Sequence, residues 1–379
     1  MNRKQVIMIV FGFCFFCIFL YLMGWISSQR VAYTPEDSKE CALTIDSGGN
    51  VYAVWADLSP GNWEIYFKRN FDQTGNTAKR VTWMSGPSSC PDIVDSSLWT
   101  LHLVWQESIS GNTEIFYKNS TDAGSNWSTV NRLTWTGGGS MNPVIASDSS
   151  GNLHLVWREN RLGKMQLHYK NSADGGASWS KVKRLMWSQG NAYAPRISVD
   201  KSDHIHIVWE DDTSASSEIY YKKSTDSGSN WSISKRITWN INDSQLPDIV
   251  IDSNSVIHIV YQQFSSPNYI SYKKSTDGGL TWGPITRMNW SNPAYSPVIA
   301  VDNNDVLYVM WHESISGNDE ILYKSSSDNG ISWSSRVRLT WTGTDSQYCE
   351  AAVDNSDIVW ILWEDGPFGD KDIFWKNSK

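Results

Sequence analysis

The chain has no long Lys/Arg run that would line a basic groove, and its formal net charge is −8. A nucleic-acid partner is therefore not expected. Cysteine is scarce, at five residues in 379. Cys14 and Cys17 lie in the apolar N-terminus, and only Cys41, Cys90 and Cys349 lie beyond it. No metal-ligand set is read, so neither a metal nor a cofactor is expected. Catalytic constellations are also few. The seven His are dispersed, and His102, His154, His206 and His258 occupy one repeated position, which points to packing. Long uncharged apolar runs are missing with one exception, residues 6–25. That run of 20 residues follows Arg3 and Lys4 and matches a hydrocarbon core of about 30 Å. It predicts an uncleaved transmembrane helix with a cytoplasmic N-terminus and the rest of the chain outside.

Aromatic residues, by contrast, are abundant: 13% of the chain, with 22 Trp. One stretch organises them. Ser224-Thr225-Asp226-Ser227-Gly228-Ser229-Asn230-Trp231 has the pattern Ser-x-Asp-x-Gly-x-x-Trp. The pattern returns at Asp122, Asp174, Asp277 and Asp328, at a spacing of about 52 residues. A damaged copy has Asp72 with Gly75 nearby and no Trp. An Asp side chain accepts backbone N–H bonds two residues on, and Gly supplies a positive φ. An apolar run precedes each copy (Glu218-Ile219-Tyr220-Tyr221-Lys222) and another follows (Lys235-Arg236-Ile237-Thr238-Trp239). The reading is strand, turn, strand. These Asp residues are assigned a structural role.

A second series sets the repeat count. Trp55, Trp105, Trp157, Trp209, Tyr261, Trp311 and Trp363 each end an alternating run such as Leu153-His154-Leu155-Val156-Trp157. A segment that begins at Pro in five units precedes that run, as in Pro297-Val298-Ile299-Ala300-Val301-Asp302. Each unit thus holds four short strands, A to D, and units of this length and content are propeller blades. The seventh unit stops after strand C. Residues 30–34 match the D-strand pattern of Arg336-Val337-Arg338-Leu339-Thr340 and are expected to complete the last blade, closing the ring. The expected fold class is all-β: a seven-bladed β-propeller of four-stranded blades, closed by an N-terminal strand and preceded by one transmembrane helix. Residues 1–28 form the stub and anchor, and residues 29–379 the propeller. The Asp-containing C–D turns face the bilayer. The D–A and B–C loops form the outward, top face.

The Ser-x-Asp-x-Gly-x-x-Trp copies, each behind an Ile-x-Tyr-Lys strand, resemble the Asp-box (BNR) repeats of sialidase-like β-propellers over about residues 29–379. The resemblance implies a propeller. Sialidases of that family use three arginines on the substrate carboxylate, a Tyr–Glu nucleophile pair and an Asp acid/base. An Arg-Ile-Pro motif near the domain start usually supplies the first Arg. This chain has none. Pro195-Arg196-Ile197 is the nearest order, in the fourth blade, and most other arginines repeat in strand D. Family members usually have six blades. No catalytic residue is carried over.

Ligand-binding candidates come from the acids after the B-strand Trp and from breaks in the repeat. Glu107, Asp211 and Glu313 belong to the first group. The third-blade loop Arg158-Glu159-Asn160-Arg161-Leu162-Gly163-Lys164 is a break, and Arg158, Glu159, Arg161 and Lys164 would receive a carboxylate or phosphate there. In the fifth blade Tyr261-Gln262-Gln263-Phe264 replaces Trp-x-acid. The rim series Trp83, Trp135, Trp187, Trp239, Trp290 and Trp341 is expected to pack between blades, with stacking on sugars as the other use. Cys41 and Cys349 are a candidate disulfide, with Cys41 and Cys90 as the other pairing. The expected function is ligand binding, to carbohydrate or a protein, on the outward face of a membrane-anchored propeller. The alternatives are a sialidase-type exo-glycosidase and a scaffold for a membrane complex.

Overall fold

The computed structural model describes residues 24–72, 76–97, 99–187 and 189–379. They form seven antiparallel sheets of four strands each. Every sheet is one blade, its strands in the order A, B, C, D from axis to rim. Strand A of one blade neighbours strand A of the next all the way round, including the first blade against the last.

The sequence pattern explains the layering. Strand B is buried along its whole length in three blades, at Val51–Asp57, Ile205–Asp211 and Ile257–Gln263. It lies inside its own sheet and is covered by both neighbouring blades. Its terminal Trp residues are fully buried. Burying one such side chain removes roughly 150–250 Å² from water, worth about 4–6 kcal/mol before entropy is counted.

The Asp-containing turn forms, with its Asp accepting the N–H four residues on and not two, and its Gly has a second duty. In the fourth blade Ser224 Oγ donates to Asp226 Oδ1 at 2.9 Å, and Asp226 Oδ1 accepts the Asn230 N–H at 2.7 Å. Gly228 has φ +79°, and a Cβ there would stand 2.0 Å from Tyr169 Oη of the preceding blade. The box Trp then packs edge-on to that same ring: Trp231 and Tyr169 have centroids 5.1 Å apart. The motif is therefore an interblade clasp as well as a hairpin. Gly75 of the damaged copy lies outside the described residues.

The ring closes as expected. Gln29–Arg30 pairs antiparallel with Asp372–Asn377, in the register Gln29 to Trp375 and Arg30 to Phe374. The Val31 N–H extends the pairing to Ile373 O at 2.8 Å. The closing segment starts earlier than residue 29, however. Trp25 is buried and packs against Tyr323 with centroids 5.4 Å apart. That is the box-Trp position of the seventh blade. Trp25 thus belongs to the propeller and not to the apolar run. Residues 6–23 of that run, and with them the bulk of the expected anchor, lie outside the described residues. Among the described residues no helix is long and apolar enough to cross a membrane.

Two further expectations are corrected. The rim aromatics do not pack away between blades. Trp83, Trp135, Trp187, Trp239, Trp290 and Trp341 are 59–71% exposed. Cys41, Cys90 and Cys349 are free thiols, so neither Cys41–Cys349 nor Cys41–Cys90 is bridged.

Candidate functional site at the top mouth

The acids after the B-strand Trp do not form an open ring. Glu107, Asp211 and Glu313 are buried. Glu107 accepts from Ser88 Oγ at 2.6 Å, and Asp211 accepts the Thr213 N–H at 2.8 Å. Glu313 accepts from Trp311 Nε1 at 3.0 Å, from Asn292 and from Arg336. Each braces its own blade's top loop. Burial pushes the Glu107 carboxyl up to about 7. The repeated D-strand Arg takes a different acid, at the start of strand C: Arg236 meets Glu218 at 2.6 Å and Arg338 meets Glu320 at 2.6 Å.

The third-blade basic spot also comes apart. Glu159 is buried and faces His168 at 3.8 Å. Arg161 and Lys164 are exposed and pair across the hairpin end. Arg158 turns the other way, toward the axis. Its Nε donates to Asn142 Oδ1 at 2.8 Å, and its guanidinium lies 5.4 Å from the Tyr193 ring centre.

The axis is where the blades converge. Every strand A carries a bulge whose residue has positive φ: Glu40, Cys90, Asn142, Ala194, Leu246, Ser296 and Tyr348. Non-glycine residues in this region cost of order 1 kcal/mol or more each. The bulge turns an N–H toward the preceding blade. Cys90 N donates to Glu40 Oε2 at 2.7 Å, Asn142 N to Gln106 Oε1 at 2.8 Å, and Glu40 N to Glu364 Oε1 at 2.8 Å. The acceptors at Gln106 and Glu364 are the residues directly after the B-strand Trp. The mouth is built from that position and from the bulge.

Below the mouth the next inward position carries Asp92, Arg196, Asp248 and Glu350 in four of the blades. Arg196 reaches Glu350 at 3.2 Å and Asp248 at 3.6 Å. Burial raises Asp92 to about 6 and Glu350 to about 7 against the pull of Arg196. The Arg of Pro195-Arg196-Ile197 thus serves an axial ion cluster.

At blades six and seven the mouth becomes aromatic. His312 stacks on Tyr295 with centroids 5.4 Å apart and meets Tyr348 edge-on at 5.4 Å. Tyr348 is half exposed. Asp319 Oδ2 lies 3.9 Å from His312 Nε2 and accepts from Gln347 Nε2 at 2.6 Å. Lys371 Nζ donates to Gln347 Oε1 at 2.8 Å, sits 3.2 Å from Glu364, and lies 5.5 Å from the Tyr348 ring centre. Burial lowers the His312 pKa to about 4, so the ring is neutral at pH 7. Its Nδ1 is buried with no hydrogen-bond partner among the described residues. These positions differ from blade to blade, and comparing them around the repeat was the signal available in the sequence.

Other groupings have plainer roles. Asp200, His204 and His206 cluster at the fourth blade's A–B turn. There His204 Nδ1 reaches Asp200 at 2.9 Å, as Asn152 Nδ2 reaches Asp148 at 2.8 Å in the third blade. Clefts of about 480 and 310 Å³ flank the closing segment, and both are lined by Arg30 and Thr34.

The profile of a BNR repeat-like domain matches residues 110–361. No curated protein sequence matches. Among solved structures, a family PL25 ulvan lyase superposes with a TM-score of 0.64 at 10% identity, covering 91% of this chain and 95% of its own. A Hadza microbial sialidase gives 0.56 at 14% identity, covering 87% and 73%. The NanB sialidase of Streptococcus pneumoniae gives 0.52 at 14% identity, covering 93% and 70%. Identities this low establish the fold alone.

Proposed function

The chain belongs to the BNR repeat-like domain family, and from that premise we propose that it binds carbohydrate at the top mouth over blades six and seven. The observation that carries this reading is the Tyr295–His312–Tyr348 cluster. It joins ring faces to an acid, an amide and an ammonium group at one half-exposed spot. Aromatic faces pack on the apolar faces of sugar rings, and the polar groups fix the hydroxyls. Similarity to a lyase and to sialidases agrees with a saccharide ligand. The apolar run that precedes Trp25 would hold the propeller at the outer surface of the membrane with this mouth turned away from it. Gly24 sits beside Ser378 at the bottom end of the last blade, on the side facing the bilayer in that arrangement.

A second reading is glycoside hydrolysis. It is favoured by Glu350 and Asp92, whose carboxyls burial pushes up to about 7 and about 6 below the mouth. Such values suit a general acid at neutral pH.

A glycan array probed with the full chain in detergent micelles tests the first reading. A defined set of bound saccharides is expected, and no binding to any glycan would contradict it. Release of reducing sugar from a bound glycan, abolished in Glu350→Gln, would favour the second.

A further inference from the structure

The exposed aromatics form a complete series. Tyr33 follows the closing segment at the position of the rim Trp and is exposed like the others. Each ring is faced by its own D-strand Arg, from Arg30 with Tyr33 at 4.7 Å to Arg338 with Trp341 at 5.6 Å. Such stacking alone is a structural device. What it needs in addition is a partner for the guanidinium charge, and the blades supply one. Arg30 has Asp372 at 2.8 Å, Arg80 has Glu64 at 2.6 Å and Arg132 has Glu114 at 3.0 Å. Arg236 and Arg338 have Glu218 and Glu320, and Arg184 has the amide oxygen of Gln166 at 2.9 Å.

The fifth blade breaks this rule. Tyr269 stands where the C-strand acid should be, in register with Gln263, which itself replaces the B-strand acid. Among the described residues no carboxylate lies within 4.0 Å of Arg287. Its Nε donates to Asn289 O at 2.6 Å. The guanidinium lies 4.0 Å from the Tyr269 ring centre and 4.8 Å from that of Trp290. Two aromatic rings thus hold a cation whose remaining N–H donors have no acidic partner. Trp290 is 70% exposed, and Phe264 of the adjoining B–C loop is also exposed.

From this geometry we infer that the upper rim of the fifth blade is a binding site for an acidic saccharide, separate from the mouth. The carboxylate or sulfate of the sugar takes the place of the missing Glu on Arg287. Its pyranose ring lies on the exposed surface of Trp290. The fork of a guanidinium matches a planar carboxylate or two sulfate oxygens. Charge selects acidic over neutral sugars here, because both carboxylates that would repel them are gone from this blade. The fifth-blade substitutions at Gln263 and Tyr269 then have one common effect.

The probe is an oligosaccharide of alternating glucuronate and sulfated rhamnose, with a desulfated, carboxyl-reduced form as the neutral arm. Both are titrated calorimetrically into the full chain in micelles at low salt. The acidic form is expected to bind and the neutral form to bind about tenfold more weakly or not at all. Tyr269→Glu restores the standard blade pair and is the key variant. It should abolish acidic binding while leaving the melting temperature unchanged or raised. Arg287→Gln should reduce affinity about tenfold or more, and Arg184→Gln, at the same place in the third blade, should not. Retention of acidic binding in both Tyr269→Glu and Arg287→Gln would overturn the assignment, as would no binding by the unaltered chain. Loss in Tyr348→Ala with Tyr269→Glu unaffected would put the saccharide at the mouth, overturning the rim site and upholding the mouth.

Discussion

Trp25 rests on Tyr323, with ring centroids 5.4 Å apart. Trp333 meets Tyr272 at 5.0 Å and Trp282 meets Tyr221 at 5.4 Å in the same relationship. The N-terminal segment therefore supplies the last blade with a box Trp, a D strand, a D-strand Arg and a rim aromatic. Closure rests on a clasp of buried aromatics as well as on strand pairing.

Trp25→Ala should accordingly cost about 3–5 kcal/mol, the range for emptying a buried Trp site. Denaturant unfolding of the full chain in micelles measures it. A loss close to that of Trp333→Ala is expected, since each fills the equivalent place in one of two neighbouring seams.

Gly228→Ala places a Cβ 2.0 Å from Tyr169 Oη at a backbone φ of +79°. Strain and clash together should cost about 2 kcal/mol or more. Gly111→Ala at φ +82° meets nothing within 4 Å and isolates the backbone part. The difference between the two melting temperatures reports the seam contact.

Stability should peak in mildly acidic solution. Asp92 is raised to about 6, and Glu107, Glu210 and Glu350 to about 7, chiefly by burial. At these carboxyls the native state holds more protons than the unfolded chain, but at the buried His102, His168 and His312, which burial lowers to about 4, it holds fewer. The carboxyl contribution is thus lost as pH rises from about 4 through 7, while the histidine contribution is lost as pH falls from about 6.5 to 4. The box acids act in the opposite sense. Hydrogen bonds hold Asp174, Asp277 and Asp328 at about 2, so their contribution disappears as pH falls from about 4 to 2. With the two sets opposed between about pH 4 and 6.5, calorimetric melting between pH 2 and 8 should show a maximum at about pH 6, and a continuous rise to pH 8 would contradict this assignment of signs.

The three propeller thiols should resist alkylation. Burial raises Cys41, and it raises Cys90 to about 12 and Cys349 further, so thiolate is scarce at pH 7.5. Peptide mapping after iodoacetamide treatment should find all three unmodified in the native chain and modified after unfolding.

The repeat, the blade count and the closing strand were readable because they recur, and recurrence averages out the noise of single motifs. The mouth was harder to see for the same reason. Residues such as His312, Arg158 and Glu210 share a position that holds five different residue types in the seven blades. The eye follows the constant Trp one residue earlier. Glu107, Asp211 and Glu313 recur because each braces a loop, which is also why they are buried. Trp25 was hidden by its neighbours, since an apolar residue next to an apolar run looks like part of it. The rim Trp exposure was not legible at all: alternation places a side chain on one face of a strand but does not say that the seam outside it is empty.

The central claim is saccharide binding at the mouth, and affinity in Tyr348→Ala tests it most directly. The strongest glycan from the array is titrated into the unaltered chain and into Tyr348→Ala and His312→Ala, with far-ultraviolet circular dichroism as the check on folding. Both folded variants should lose about tenfold or more in affinity, the usual scale for removing an aromatic anchor. Unchanged affinity in both, with the fold intact, would place the ligand elsewhere and contradict the claim.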